Sequence, residues 1–118
     1  MLFVCYDKCG TCKKAEKYLL NKGYTLEKRD IKSNKPSLEE LTAWYKASGL
    51  PLKRFYNTSG KLYKELNLKD KIPTMTEEEQ LALLASDGML VKRPILVNGN
   101  DVLIGFKLAE YEEKGYCQ

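Results

Sequence analysis

Two cysteines at the junction of a strand-like and a helix-like segment constrain the fold of this chain more than any other feature. Leu2 to Tyr6 is a short apolar run rich in residues that favour strands, and Asp7 to Gly10 has the composition of a turn. From Thr11 onward the apolar residues recur at helical spacing. Cys9 and Cys12 therefore lie just after a predicted strand and at the start of a predicted helix.

The segment that follows completes a βαβ unit. Gly23 ends the helical pattern, as glycine often does at the C-terminus of a helix. Tyr24 to Ile31 carries apolar residues that predict a second strand. Strand, helix and strand within about thirty residues predict two parallel strands joined by a crossover helix.

The rest of the chain divides into a helical stretch and a second sheet-forming segment. Capping-box patterns at Ser37 and Thr76 predict helices in the middle of the chain. Asn98-Gly99 lies between two apolar runs and predicts a hairpin, which is followed by one more helix. The order β-α-β, helices, β-β, α predicts an α/β protein of thioredoxin-like fold. Residues 1–118 are predicted to form a single domain, with a helical insert at about 35–90 between its halves.

The composition excludes several classes of function. The chain has 118 residues and no His, which excludes His-based acid–base catalysis and zinc sites that contain His. Its formal net charge of +4 comes from mixed charges without a dense basic stripe, so direct nucleic-acid binding is not expected. No apolar run has the length of a membrane span or a signal core, which predicts a cytoplasmic protein with reduced thiols.

The position of Cys9 predicts a reactive thiol. The unpaired N–H groups and the positive end of the helix dipole face the residue that precedes a helix, and both stabilise a thiolate. Two intervening residues bring the Cys12 sulfur within reach of a disulfide bond. We predict that Cys9 attacks a substrate and that Cys12, as the more buried thiol, resolves the adduct.

Two other interpretations of the cysteines stay open at this stage. A Cys-x-x-Cys pair is half of a zinc site, and the other ligands would then be Cys5 and Cys117 or carboxylates. The pair could also occur by chance and carry no chemistry. Cys5 lies in an apolar strand and is interpreted as a buried structural residue. Cys117 falls in a tail predicted from Gly115 to Gln118 and is interpreted as exposed and incidental, so no metal is expected.

Arg93-Pro94 opens the third predicted strand, which begins opposite the cysteines in a thioredoxin-like fold. A cis peptide bond there would expose backbone groups beside Cys9, and Arg93 would meet an anion or a thiolate. We predict that the chemistry is carried by Cys9, Cys12 and Arg93. The residues predicted to bind the substrate are Gly10, Thr11 and Pro94.

Four segments carry a resemblance to a known family: Cys9 to Ala15, Gly49 to Pro51, Leu66 to Leu68 and Arg93 to Val97. These segments are spread along the chain, which resembles the arsenate reductase (ArsC)/Spx family over nearly its whole length. The resemblance implies a thioredoxin-like fold with a helical insert. In the family's reductases a cysteine at the position of Cys9 attacks arsenate, and the adduct passes to glutathione and glutaredoxin. In its Spx branch a Cys-x-x-Cys pair is a redox switch in proteins that bind the RNA polymerase α subunit.

The sequence departs from both branches of the family. The arsenate reductases carry Ser at the position of Cys12 and gather three arginines around the oxyanion. Arg93 matches one of these arginines. Asn57 stands at the position of the second, and Phe106 or Lys107 stands at the third. Spx chains are longer and have a more basic C-terminal extension.

Two functions are therefore predicted. The first is a glutaredoxin-like thiol–disulfide oxidoreductase that resembles arsenate reductases and acts on a small thiol or an oxyanion. It would need no bound cofactor, with glutathione or a thioredoxin/glutaredoxin system as its reductant. The alternative is an Spx-like, redox-sensitive transcriptional regulator that binds the RNA polymerase α subunit. The missing basic extension favours the enzyme.

Overall fold

A computed structural model describes residues 1–116 of the chain. It contains one four-stranded sheet, formed by β1 (Leu2–Cys5), β2 (Glu27–Asp30), β3 (Ile95–Asn98) and β4 (Asp101–Ile104). The strands lie in the order β2-β1-β3-β4. β1 and β2 run parallel, whereas β1 with β3 and β3 with β4 are antiparallel. This sheet confirms the predicted α/β class and thioredoxin-like arrangement.

Helices surround the sheet and fill the middle of the chain. Within residues 1–116 they are α1 (Gly10–Asn21), α2 (Leu38–Ser48), α3 (Lys61–Glu65), α4 (Leu68–Lys71), α5 (Glu77–Ser86) and α6 (Leu108–Glu113). Short 3-10 turns occur at Leu52–Phe55, Ile72–Thr74 and Gly88–Leu90. Helices α2 to α5 lie between β2 and β3, where the sequence predicts the insert. None of the described helices has the length and apolarity needed to cross a lipid bilayer.

The two faces of the sheet carry separate apolar cores, because successive residues of a strand point to opposite faces. Phe3 and Cys5 of β1 pack with α1 and α6, whereas Val4 between them packs with the helical insert. The buried residues on the α1/α6 face are Phe3, Cys5, Cys12, Ala15, Leu19, Leu96, Leu103, Tyr111 and Tyr116. This core holds the start of α1, and with it the cysteine pair, against the end of β1.

β2 is shorter than its apolar residues predict. Gly23 has a φ of +89°, a left-handed conformation that glycine adopts without steric cost. The chain then turns back, so that the Tyr24 N–H donates to the Leu19 carbonyl at 3.1 Å. Tyr24 therefore closes the turn that follows α1, and the strand begins only at Glu27.

The predicted capping boxes at Ser37 and Thr76 are both present in the insert. The Ser37 hydroxyl accepts from the Glu40 N–H at 3.1 Å, and the Glu40 carboxylate accepts from the Ser37 N–H at 3.0 Å. The Arg29 guanidinium on β2 donates two hydrogen bonds, of 2.6 and 2.8 Å, to the same carboxylate. Arg29 therefore fastens the insert to the edge strand of the sheet.

The segment after α6 is packed at Tyr116, where the sequence predicts a tail. Tyr116 is 5% exposed, and its carbonyl accepts a hydrogen bond from the Tyr18 hydroxyl at 2.6 Å. Its own hydroxyl meets Asn98 and Asp101 of the β3–β4 hairpin, each at 3.1 Å. The prediction of a tail was wrong at Tyr116. The free energy gained by burying its ring on the sheet exceeds the cost of the conformational entropy that the chain end loses. Cys117, predicted to be exposed, lies outside the described residues.

Candidate active site

The Cys9 sulfur caps the N-terminus of α1. The Cys9 backbone is extended, with φ −95° and ψ 116°, so this residue lies just outside the helix. Its Sγ accepts a hydrogen bond from the Cys12 N–H at 3.4 Å. The Cys9 N–H donates to the Tyr6 carbonyl at 3.0 Å and closes the turn between β1 and α1. The first turn of α1 thus directs a backbone donor and the positive end of its dipole at this sulfur.

Cys12 lies in the core between α1 and the sheet. It is 3% exposed, whereas Cys9 is only half-buried. The pKa of Cys12 is raised to about 12, mainly by burial and additionally by the neighbouring Cys9 sulfur. The Tyr6 N–H donates to the Cys12 sulfur at 3.4 Å, and this hydrogen bond lowers the pKa of Cys12. Cys12 is therefore a protonated thiol shielded from solvent.

Arg93 reaches the cysteines from the segment just before β3. A cis peptide bond links it to Pro94, and β3 pairs with β1 so that Ile95 lies opposite Val4. The Arg93 guanidinium carbon lies 5.1 Å from the centre of the Tyr6 ring, a cation–π distance. Its Nε and one of its Nη atoms are buried without a hydrogen-bond partner in residues 1–116. The ring thus packs against a guanidinium with two buried nitrogens that no residue from 1 to 116 pairs.

Opposing effects act on the pKa of the Cys9 thiol, and their net result is a lower pKa. Burial raises the pKa of Cys9. Hydrogen bonds from the Cys12 backbone and side chain lower it, and so do a hydrogen bond and the positive charge of Arg93. The net result is a pKa below the ordinary value of a cysteine thiol. At neutral pH a larger fraction of Cys9 is therefore thiolate than in an ordinary cysteine.

A basic cleft begins at Thr11, one residue before Cys12. It has a volume of about 570 Å³ and lies between the first turn of α1, the 3-10 turn Leu52–Phe55 and the loops that flank β3 and β4. Its cationic side chains are Lys53, Arg54, Lys92 and Lys107. Arg54 is already paired, since it donates to the Glu110 carboxylate at 3.2 and 3.3 Å.

The structure brings Cys9, Cys12 and Arg93 together at the start of α1, where the sequence predicts the chemistry. The residues predicted to contact substrate differ in their exposure. Thr11 lines the basic cleft, Gly10 is exposed in the first turn of α1, and Pro94 is buried. A substrate that contacts Gly10, Thr11 and Pro94 would have to lie between Cys9 and the cleft.

Cys5 is buried, 7% exposed, as its apolar strand predicts. It packs in the same core as Cys12, and burial raises its pKa. Within residues 1–116, no three Cys, Asp or Glu side chains are grouped so that they could hold a metal ion. The zinc interpretation also invoked Cys117, which lies beyond the described residues.

The sequence gives no signal for three residues that shape this site. The residue types around Tyr6 indicate only a strand, whereas its ring packs against the Arg93 guanidinium and its N–H donates to the Cys12 sulfur. Lys53 and Lys92 are far apart in sequence, and the Lys92 N–H donates to the Phe55 carbonyl at 2.8 Å, which joins their two loops. Lys107 is indicated only by the resemblance to arsenate reductases, in which Phe106 or Lys107 stands at the position of the third arginine.

Replacing Arg93 with methionine is expected to raise the pKa of Cys9, because a hydrogen bond and a nearby positive charge are lost. The pH midpoint of Cys9 alkylation by iodoacetamide should move upward, and the rate at neutral pH should fall several-fold. Arg54→Met is the matched control, because Arg54 is paired with Glu110. An unchanged midpoint in Arg93→Met would contradict this electrostatic role.

The model of the ArsC family matches residues 5–114, a range that includes the cysteine pair and Arg93-Pro94. YusI, an uncharacterized protein of Bacillus subtilis, is 53% identical over 113 residues, which cover 96% of each chain. Regulatory protein MgsR of the same organism is 29% identical over 93% of this chain and 86% of its own. An arsenate reductase of Rhizobium meliloti is 30% identical over 75% of this chain and 62% of its own.

Solved structures show the same similarity in three dimensions. A Bacteroides fragilis protein described as related to the ArsC family has a TM-score of 0.92 and 54% identity, covering 95% of this chain and 94% of its own. An arsenate reductase from Vibrio cholerae has a TM-score of 0.74 and 30% identity, covering 86% and 87% of the two chains.

Proposed function

We propose, from the premise that the chain belongs to the ArsC family, that it is a thiol–disulfide oxidoreductase with Cys9 and Cys12 as its redox pair. The observation that carries this proposal is the opposite character of two adjacent thiols. The pKa of Cys9 is lowered and its sulfur is half-buried, whereas the pKa of Cys12 is raised to about 12 and its sulfur is buried. This asymmetry suits one attacking and one resolving thiol.

The proposed cycle has two exchange steps. The Cys9 thiolate attacks one sulfur of a disulfide, R–S–S–R, forms a mixed disulfide and releases one RS⁻. Cys12 then gives its proton to the RS⁻ already released, attacks the Cys9 sulfur, breaks the mixed disulfide and releases the second RS⁻. The substrate gains two electrons, and the dithiol becomes the Cys9–Cys12 disulfide. An external thiol, from glutathione or a thioredoxin/glutaredoxin system, returns the protein to its dithiol form.

The surrounding residues support each step. Arg93 stabilises the Cys9 thiolate before attack, and its unpartnered nitrogens are donors for a negative group on the substrate. Gly10 leaves the first turn of α1 open, because no atom outside its own turn lies within 4 Å of the position of a Cβ. Thr11 and Pro94 would border the substrate on the helix side and the β3 side. Reduced thiols are required between turnovers, in agreement with the predicted cytoplasmic location.

An oxyanion such as arsenate is a further candidate substrate of the same thiolate. The arsenate reductases among the relatives support it, and the free donors of Arg93 could bind one oxygen of a tetrahedral anion. The arginine position occupied here by Asn57 argues against it, since an amide brings no positive charge. Arsenate should therefore be tested beside the disulfide in each assay.

The proposal is tested by the reaction of the reduced protein with bis(2-hydroxyethyl) disulfide. Peptide mass spectrometry is expected to show a disulfide between Cys9 and Cys12 and the release of two 2-mercaptoethanol molecules per chain. A glutathione redox series then gives the potential of the pair and shows whether glutathione adds to Cys9. Reduced protein whose Cys9 and Cys12 remain unpaired in excess bis(2-hydroxyethyl) disulfide would rule out this cycle.

A redox-gated regulator is the second candidate, favoured by the similarity to regulatory protein MgsR. In this function the Cys9–Cys12 disulfide would alter the first turn of α1 and change a binding surface instead of completing a catalytic cycle. The partner implied by the Spx resemblance is the RNA polymerase α subunit. A pull-down with that subunit, repeated with reduced and oxidised protein, tests it, and the absence of binding in both states would remove this candidate.

A further inference from the structure

The basic cleft beside the cysteines carries more positive charge than the redox step itself requires. Arg54 is neutralised by Glu110 and also donates to the Ile104 carbonyl at 3.4 Å. Lys53, Lys92 and Lys107 form no ion pair with any described residue. No Asp or Glu from residues 1–116 lines the cleft. Three uncompensated positive charges therefore face one concave surface.

The three lysines come from separate parts of the chain that the fold holds together. Lys53 lies in the 3-10 turn, Lys92 precedes Arg93, and Lys107 is the residue immediately before α6. The Lys92 side chain passes over Gly105, where a Cβ would lie 3.3 Å from Lys92 Cε. A larger residue at Gly105 would therefore displace this lysine from the wall of the cleft.

The cleft is too large and its charges too widely distributed for a single small oxyanion. A volume of about 570 Å³ is that of a site for an organic molecule. A tetrahedral oxyanion needs donors that converge on one point, whereas these lysines come from three loops that line an open cleft. Separate carboxylates on one organic ligand match this distribution better.

We propose that this cleft selects low-molecular-weight disulfides that carry carboxylates. The inference rests on the proposed oxidoreductase function and names its substrate class. With one sulfur of the substrate at Cys9, the attached group would extend past Thr11 into the cleft, where its carboxylates meet the lysines. The chemistry is unchanged: one thiolate leaves when the mixed disulfide forms, and the second leaves when Cys12 attacks.

The test uses three disulfides of similar length and different charge. They are 3,3′-dithiodipropionate, which is a dianion, bis(2-hydroxyethyl) disulfide, which is neutral, and cystamine, which is a dication. The rate of Cys9–Cys12 disulfide formation is measured at low ionic strength for the full chain and for charge variants. Comparing each variant with the wild type on the same disulfide cancels differences in the intrinsic reactivity of the three compounds.

A variant that loses all three cleft lysines should react roughly tenfold more slowly with the dianion. Its rate with the neutral disulfide should stay within about twofold, and its rate with cystamine should rise. Added salt should reduce the preference of the wild type for the dianion. The cleft variant is Lys53→Gln with Lys92→Gln and Lys107→Gln. The control variant has the same net charge as the cleft variant but loses three exposed lysines elsewhere. It is Lys32→Gln with Lys46→Gln and Lys69→Gln.

Two kinds of failure are distinguishable. If the neutral disulfide fails to produce the Cys9–Cys12 disulfide in the wild type, the proposed function itself is wrong. If the neutral disulfide reacts but the cleft variant and the control variant slow the dianion equally, the cleft has no selective role. Equal slowing of all three disulfides in the cleft variant would also overturn the inference, because a charge effect must differ among them.

Discussion

Replacement of Cys9 by serine should lower the rate of disulfide exchange by a factor on the order of a thousand or more. A hydroxyl in the same place remains protonated at neutral pH and cannot form a mixed disulfide. The hydrogen bond from the Cys12 N–H at 3.4 Å and the Arg93 charge would then have no thiolate to stabilise. The reduction of bis(2-hydroxyethyl) disulfide, followed by the release of 2-mercaptoethanol, measures this loss.

Two further cysteine variants separate the roles of the thiols. Cys12→Ser should still react once, and the mixed disulfide at Cys9 should then accumulate because no resolving thiol is present. Cys5→Ala is the matched control, since Cys5 is a buried thiol of the same core that takes no part in the cycle. The proposed mechanism is wrong if Cys9→Ser keeps the wild-type rate, or if Cys5→Ala loses activity as completely as Cys9→Ser.

Gly88→Ala should destabilise the fold by about 3 kcal/mol or more. Gly88 is buried at the start of the 3-10 turn after α5, and a Cβ there would overlap the Ile31 carbonyl oxygen and lie 2.9 Å from its carbon. Ile31 cannot move aside without cost, because its N–H donates to the Cys5 carbonyl at 2.8 Å. Urea denaturation followed by circular dichroism is expected to show a large fall in the midpoint.

Gly10→Ala is the comparison for this prediction. Gly10 lies in the first turn of α1, and no atom outside that turn would lie within 4 Å of its added Cβ. Alanine has a higher helix propensity than glycine, so Gly10→Ala should leave the unfolding midpoint unchanged or raise it slightly. If Gly88→Ala unfolds at the same urea concentration as Gly10→Ala, the close approach of Gly88 to Ile31 does not limit stability.

The cysteine pair and the α/β order were predictable because their signals are local. Cys9 and Cys12 are separated by two residues, and the strand, turn and helix around them follow from neighbouring residue types. The capping boxes at Ser37 and Thr76 are also local, because the side chain and the N–H that it caps are three residues apart. A sequence pattern is sufficient wherever the interacting groups are this close along the chain.

Other features depend on contacts between distant segments, which no pattern in one segment encodes. The start of β2 and the position of Tyr116 depend on the packed sheet and α1. The pairing of Arg93 with the Tyr6 ring depends on the register between β1 and β3. The contact with Tyr6 holds the positively charged Arg93 guanidinium beside Cys9.

The position of the candidate nucleophile can be read from the sequence, because a helix that begins at a cysteine stabilises a thiolate through its own backbone. The groups around that sulfur follow from the tertiary structure alone. Cys9 and Arg93 are far apart in the chain, and the lysines of the cleft come from three loops. Their convergence depends on strand pairing and helix packing, and these are set by the burial of apolar residues from the whole chain.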